Sequence, residues 1–291
     1  MLKIIEKTKI WFTLSLIIIL IGLGFTIKNG LNFGIDFIGG TKIQVELGEN
    51  FNKPEADKIV KEIVEGAITN EADETIYEIK AKDLDSEKVK EVFKALKEKY
   101  NLEDKALLSQ NEIGASVGKD LTKNSIIALT VACLAMLVYI AIRFEMNFGL
   151  AAIIGLVHDL LITISVYAIF KVPVNTPFIA AILTIVGYSI NDTIVIFDRI
   201  RENSKNMRRA SSSEIANKSI KQTMSRSINT TLTTLITIIA VNIFVPTVRE
   251  FTFPLIIGIA VGAYSSIFIA SPMWVILKDR KANKKAKLET V

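Results

Sequence analysis

Cysteine and histidine are almost missing from this chain of 291 residues: Cys133 and His158 each stand alone. One cysteine excludes an internal disulfide, and its place in an apolar run reads as a buried structural thiol. A lone imidazole makes no metal site, since a buried metal needs several ligands, and no zinc-ligand spacing occurs. No glycine-rich phosphate loop and no nucleophile elbow is found either. No metal, no cofactor and no enzymatic activity is therefore expected. The net charge of +5 is mild, and its distribution says more than its size, so nucleic acid is not the natural partner. Arginine is absent from residues 28–124, whose charge is carried by lysine and acids and reads as a solvated surface.

What is present is apolar sequence in blocks. Half the residues are hydrophobic, and runs of about 18 or more read as membrane-spanning helices. The first, Trp11–Ile27, follows a short basic start but lacks a small-x-small cleavage site, so it is expected to be a retained span and not a signal peptide. Five more follow: Ser125–Ile142, Phe148–Phe170, Pro177–Phe197, Thr230–Val248 and Phe251–Leu277. The expected fold is a six-helix transmembrane bundle with one small α+β external domain at 28–124, between spans one and two. A basic loop is expected at 198–229 and a basic tail at 278–291. Within the domain, alternation marks strands at Lys42–Leu47, Thr75–Ala81 and Lys105–Ile113. Helical spacing marks Pro54–Glu65 and Asp85–Tyr100. The β-α-β-α-β order predicts one sheet with two helices on it. With six spans, the first residues, Arg143, the loop with Arg199, Arg201, Arg208 and Arg209, and the lysine-rich tail share one side. The positive-inside rule makes that side cytoplasmic, with both termini there.

Few polar residues interrupt the blocks, and those few are the candidate site. Asp192 lies about 15 residues into span four, roughly 22 Å along a helix crossing about 30 Å of hydrocarbon. An acid at that depth is expensive and usually faces a bundle interior or a water-filled cavity, which makes Asp192 a candidate proton carrier. The alternative is a packing contact. Tyr188 lies one turn earlier and Asn191 precedes it. Arg226, at the mouth of span five, reads equally as an interface anchor or as the counter-charge of Asp192. Asn229, Thr230, Thr233, Thr234 and Thr237 share much of one helix face, suited to a hydrated path or to close helix packing. His158-Asp159, near mid-depth in span three, suits a proton relay or a polar packing contact. Gly258-x-x-x-Gly262 permits close helix approach.

Several stretches together resemble the SecF family, the smaller partners of SecD in bacterial Sec protein export. They are FGIDFIGGT at Phe33–Thr41, GLVHDLLI at Gly155–Ile162, GYSINDTIVIFDRIREN at Gly187–Asn203 and SIKQTMSRSINTTLTT at Ser219–Thr234. The resemblance implies a six-span relative of the proton-driven resistance-nodulation-division exporters, in the bacterial cytoplasmic membrane. It implies a separate SecD chain as partner, association with the SecYEG channel and indirectly with the motor SecA, and contact with lipid and with translocating preprotein. The intramembrane acid falls on Asp192 and the fifth-span arginine on Arg226. Gly34, Asp36, Gly39 and Gly40 would carry the resulting shift to the external domain. Three rivals remain: half of a small-molecule exporter, a structural subunit without its own proton site, and an intramembrane aspartyl protease with Asp159 and Asp192 as its dyad. The last lacks the Gly-x-Gly-Asp and Tyr-Asp motifs.

Overall fold

The computed structural model describes residues 3–48, 51–72, 75–143 and 145–289, with the backbone alone at 115, 141 and 282–289. Among them, six helices are long and apolar enough to cross a membrane. They are α1 (Thr8–Asn29), α5 (Ala115–Arg143), α6 (Met146–Phe170), α7 (Thr176–Asn206), α8 (Ser212–Phe244) and a last span made of α9 (Arg249–Ser265), a π turn (Ser266–Ala270) and α10 (Ser271–Glu289). Between α1 and α5 lie a short helix α2 (Ile35–Ile38) and the outer domain. The domain holds β1 (Gly40–Glu46), α3 (Lys53–Ile63), β2 (Ile68–Glu71), β3 (Ile76–Ala81), α4 (Ser86–Tyr100) and β4 (Leu107–Ile113).

The domain has one strand more than the alternation predicts. β2, with sequence ITNE, is short, polar and half-buried throughout, so no period marks it. Its presence converts β-α-β-α-β into β-α-β-β-α-β, a split βαβ arrangement. The sheet is antiparallel in the order β2-β3-β1-β4. Ile43, Val45, Tyr77 and Ile79 turn inward and are fully buried beneath Val60 of α3 and Val92 and Leu96 of α4. Local chemistry sets the helix ends. Asn52 accepts from the Glu55 N–H, and Asp85 accepts from the amides of Glu87 and Lys88 at 3.1 and 2.9 Å. α4 ends on Asn101 in the left-handed region. A polar knot ties α3 to β2 and β3: Asp57 accepts from Thr69 at 2.6 Å and Tyr77 at 2.7 Å, and pairs with Lys53 at 2.7 Å.

The bundle sorts its helices into core and periphery. In α6, α7 and the last span, 50%, 44% and 56% of the most apolar stretch is buried, against 11%, 6% and 11% in α1, α5 and α8. The last three therefore leave broad apolar faces uncovered. Two apolar clusters fill the interior. One, toward the domain, centres on Phe178, Ile182 and Ile185 of α7 with Leu255 and Ile259 of α9. The other, at the far end, centres on Phe148, Phe197 and Trp274, whose rings lie 5.1 and 5.2 Å from that of Phe148.

Residues 198–229, expected as a basic loop, are helical except for the turn at 207–211. Their apolar residues recur at helical spacing and join the far-end cluster: Ile200 from α7, and Ile215, Ala216 and Ile220 from α8. A capping box starts α8, with the Glu214 N–H on Ser211 Oγ at 3.3 Å and the Ser211 N–H on Glu214 at 2.8 Å. Likewise α5 begins at Ala115, so helix replaces the last ten residues of the expected domain. Most of the expected basic tail continues α10.

The segment between α1 and β1 is a tight joint. Gly34 N donates to the Val174 carbonyl at 2.9 Å, and Val174 N donates to Asn32 at 2.8 Å. Asp36 caps α7 from outside: its Oδ2 accepts from Thr176 N at 2.8 Å, while Asn175, at the cap position, makes no side-chain cap bond. There is no room for side chains here. A Cβ on Gly34 would stand 1.6 Å from Asn175 Oδ1, and one on Gly118 of α5 would stand 2.5 Å from the Phe37 carbonyl oxygen. Gly39 and Gly40 have φ of +81° and +141°, which side-chain-bearing residues rarely adopt.

Two outcomes follow. Gly34→Ala should weaken the joint by about 1–3 kcal/mol through overpacking, and adding Asn175→Ala should recover most of the loss; thermal unfolding of the detergent-solubilised chain measures both. Burial pushes the Asp57 carboxyl up, but bonds from Lys53, Thr69 and Tyr77 outweigh it and hold it below the usual 3.8. Its stabilisation is therefore complete above that value and is lost as pH falls through the depressed one. Hydrogen exchange of β2 and β3 amides should accelerate under acid in the native chain, and Asp57→Asn should remove that acid-dependent step.

Candidate functional site

Two groups of polar side chains lie against the middle of α7, on different sides of it. The first sits between the two apolar clusters. Asp159 of α6 is fully buried, and both of its oxygens are engaged. Oδ1 meets His158 Nδ1 at 2.9 Å, and Oδ2 accepts from Ser189 of α7 at 2.5 Å and Ser265 of α9 at 2.8 Å. His158 Nε2 meets Ser15 of α1 at 2.8 Å. Ser15 lies 3.4 Å from the Tyr264 hydroxyl, which donates to the Trp11 carbonyl at 3.1 Å. One turn further along α7, Thr193 bonds Ser266 at 2.8 Å. Ser265 and Ser266 stand at the start of the π turn, where the widened helix sets both hydroxyls toward α6 and α7, a local distortion common at functional sites. Every member of this group has a partner, so it holds spans one, three, four and six together as one polar layer.

The second group lies at the seam of α7 and α8. Asp192 is half-buried. Its Oδ1 accepts from Ser227 of α8 at 2.7 Å, and its Oδ2 is buried with no hydrogen-bond partner among the described residues. One turn toward the domain, the Tyr188 hydroxyl donates to the Thr230 carbonyl at 3.3 Å and contacts Thr234 Oγ1 at 3.2 Å. Arg226 is exposed and makes no ion pair with Asp192; its charge acts on the carboxyl only through space. Asn191, Asn229 and Thr230 are exposed as well. Thr233 and Thr237 close onto their own helix, donating to the carbonyls of Asn229 and Thr233 at 2.9 and 3.0 Å. Ile228, Leu232, Ile236, Ile239 and Ile243 are exposed beside them, so this flank of α8 is not packed within the chain.

The structure thus brings Asp192 and Ser227 together and His158 and Asp159 together, and separates the two pairs. Asp159 and Asp192 share no hydrogen bond, and their donors are different serines on different helices. A protease dyad needs two carboxyls sharing a proton, and this arrangement does not supply it. Gly258 and Gly262 do permit close approach of α9 to α7: a Cβ would fall 2.3 Å from Ile185 and 3.1 Å from Ser189 respectively. The residues that sequence reasoning passed over are serines: Ser15, Ser227, Ser265 and Ser266. Single hydroxyls in apolar runs are common in membrane helices, and only the three-dimensional convergence on two carboxylates distinguishes these.

The model of the C-terminal region of protein export membrane proteins SecD/SecF matches residues 91–280, more than half of the chain. That of the SecD/SecF GG motif matches residues 24–50, which contain the tight joint. The chain is 37% identical over 289 residues to the protein translocase subunit SecF of Sebaldella termitidis, covering 96% of this chain and 93% of that one. It is 32% identical to the protein translocase subunit SecDF of Bacillus subtilis, covering 96% of this chain but 38% of that longer protein. The crystal structure of SecDF from Thermus thermophilus, a translocon-associated membrane protein, superimposes with a TM-score of 0.81 at 33% identity, covering 96% of this chain and 39% of that one. A multi-pass membrane chain whose joint and helical region both match, and which aligns nearly end to end with a SecF relative, belongs to the SecD/SecF family of protein export membrane proteins.

Proposed function

We propose that the chain is a subunit of the Sec preprotein translocase that works with a SecD partner and uses the proton-motive force in late steps of protein translocation. The observation that carries the proton coupling is Asp192: a carboxyl inside a membrane span, with one oxygen on a serine and the other buried and unpartnered, at a seam that opens onto an uncovered flank of α8. SecD is supported as the partner by relatives in which SecD and SecF regions form one SecDF chain. The bundle lies in the cytoplasmic membrane with both termini in the cytoplasm, so the domain faces outward, where preprotein emerges from SecYEG after SecA has driven it in. The uncovered apolar faces of α1, α5 and α8 meet lipid and partner helices.

In this mechanism Asp192 takes a proton from the outer side and releases it toward the cytoplasm. Neutral, it is tolerated at the seam; charged, it draws Ser227 and the Arg226 guanidinium toward α7. Arg226 acts as a counter-charge supplied along the partner-facing surface. His158 and Asp159 keep the packing role, because their donors and acceptors are already matched. One elementary charge moved through 100 mV is worth roughly 2.3 kcal/mol, enough to bias a two-state helix packing. α7 delivers that bias to Asp36, which caps its outer end, and through Gly34, Gly39 and Gly40 to β1.

Asp192→Asn should assemble normally with its partner and lose the gradient-dependent component of export in inverted membrane vesicles, leaving the ATP-driven component intact. Normal gradient-dependent export by that variant would sink the proposal. Asp159→Asn should instead lower thermal stability, by about 1–3 kcal/mol for a disturbed buried hydrogen-bond network, before it alters gradient dependence.

A further inference from the structure

The outer domain touches the bundle at two places of opposite character. One is the tight joint at Gly34, Gly40 and Gly118, where no Cβ fits. The other is an ionic contact some distance along the sheet. The β3 face turned away from α3 and α4 carries Glu78 and Lys80, both nearly buried at 6% exposure. Lys80 Nζ pairs with Glu250, in the first turn of α9, at 2.7 Å and with Glu78 at 2.9 Å. Asn70 of β2 donates to the same Glu250 oxygen at 3.1 Å, and Lys42 of β1 pairs with Glu78 from the other side.

We propose that the Lys80–Glu250 contact is a releasable latch, so that the outer domain swings about the glycine joint while Lys80, Asn70 and Glu250 open and close as positioning residues. The proposal rests on the reading of the chain as an export subunit whose domain moves. Three observations support it. The surfaces meet through charge, with Glu78 and Lys80 on a face where an apolar pair would have made a permanent seam. An ion pair largely cancels its own desolvation cost, so it opens into water at little net expense, whereas parting apolar surfaces does not. The contact is also not close-packed. Cavities of about 290 and 410 Å³, both lined by Asn70, Arg249 and Glu250, flank it and admit water to each partner as it parts. Finally, α9 is the helix that Gly258 and Gly262 set against α7, so the latch and the Asp36 cap sit at the outer ends of two closely packed helices.

The charges persist at neutral pH. Burial works against the Lys80 ammonium, but the facing carboxylates of Glu250 and Glu78 raise it above its ordinary 10.5. Burial likewise works against the Glu78 carboxylate, and Lys80 and Lys42 outweigh it and hold it below 4.5.

The test uses the chain assembled with its partner in membrane vesicles, with Cys133→Ala to remove the native thiol. In right-side-out vesicles, where the outer domain faces the medium, Asn70→Cys alone should react faster with a membrane-impermeant maleimide when a proton gradient is imposed; a rate that ignores the gradient overturns the latch. Glu71→Cys with Thr247→Cys, which line the 410 Å³ cavity from the domain and the bundle and leave the Lys80–Glu250 pair in place, bridged by a short, membrane-permeant, cleavable bis-maleimide, should lose gradient-dependent export and regain it on cleavage. Undiminished export with the bridge intact overturns the latch as well. The labelling arm needs no export, so absence of gradient-dependent export before bridging counts against the functional reading alone, and the latch then stands or falls on labelling.

Discussion

The bundle depends on a carboxylate that has no freedom left. Asp159 is wholly enclosed, and it survives there because His158, Ser189 and Ser265 supply three hydrogen bonds from three directions. Removing any one partner leaves part of a buried polar group unsatisfied in low dielectric, which costs more than the bond itself contributes. That asymmetry fixes the helices. α6 supplies the acid and the imidazole, α7 and α9 the serines, and α1 is drawn in through Ser15. The apolar clusters on either side can then be ordinary close-packed cores, because the polar layer between them has already set rotation and depth. The π turn is part of the same constraint: it lets consecutive serines of the last span reach two different helices.

Against that fixed layer, the seam of α7 and α8 is under-determined by design of the sequence. α8 buries little beyond its far half, where Asn217 accepts from the amides of Ile4 and Ile5 and Ser219 accepts from Asn203. Nearer the domain it leans on α7 through Tyr188 and Ser227 and on α9 through Asn242, and leaves its other flank bare. A helix held along one side and bare along the other is the element best able to answer a change of charge. The glycine joint and the ionic contact repeat that contrast at the outer surface: on the proposed latch, one is a pivot without room for a side chain and the other a contact that water can replace.

Much of this was legible in the chain. The six apolar blocks and the polar residues within them fall on helices, because a span advertises itself by length and composition alone. Glycine positions were readable too: Gly34, Gly40, Gly258 and Gly262 sit where backbones meet. What stayed hidden was of two kinds. β2 is an edge strand whose four residues show no alternation, so only pairing with β3 reveals it. The helical ends of α7 and α8 looked like a loop because their charges mask Ile200, Ile215 and Ile220, whose burial depends on each other. The site was half legible. Asp192 stood out by depth; Arg226 read equally as an interface anchor or as its counter-charge, and the bond is made one residue later, by Ser227.

That difference of one residue bears on the mechanism. A proton carrier must hold its two protonation states within a few kcal/mol of each other, or a membrane potential worth roughly 2.3 kcal/mol per charge per 100 mV cannot shift it. A buried guanidinium clamped on Asp192 would defeat this, since breaking such a pair strands a charge at a cost of about 3–5 kcal/mol. A hydroxyl imposes no such bias. It donates to the carboxylate and accepts from the protonated acid with the same atoms in place. On the proposed function, Ser227 would therefore keep Asp192 oriented through a full cycle. Arg226, exposed on the next position of the helix, brings positive charge near enough to tolerate the ionised state without locking it. On the proposed function, the useful property of the site is this near-degeneracy, and a serine in contact with an arginine held at a distance is a direct way to obtain it.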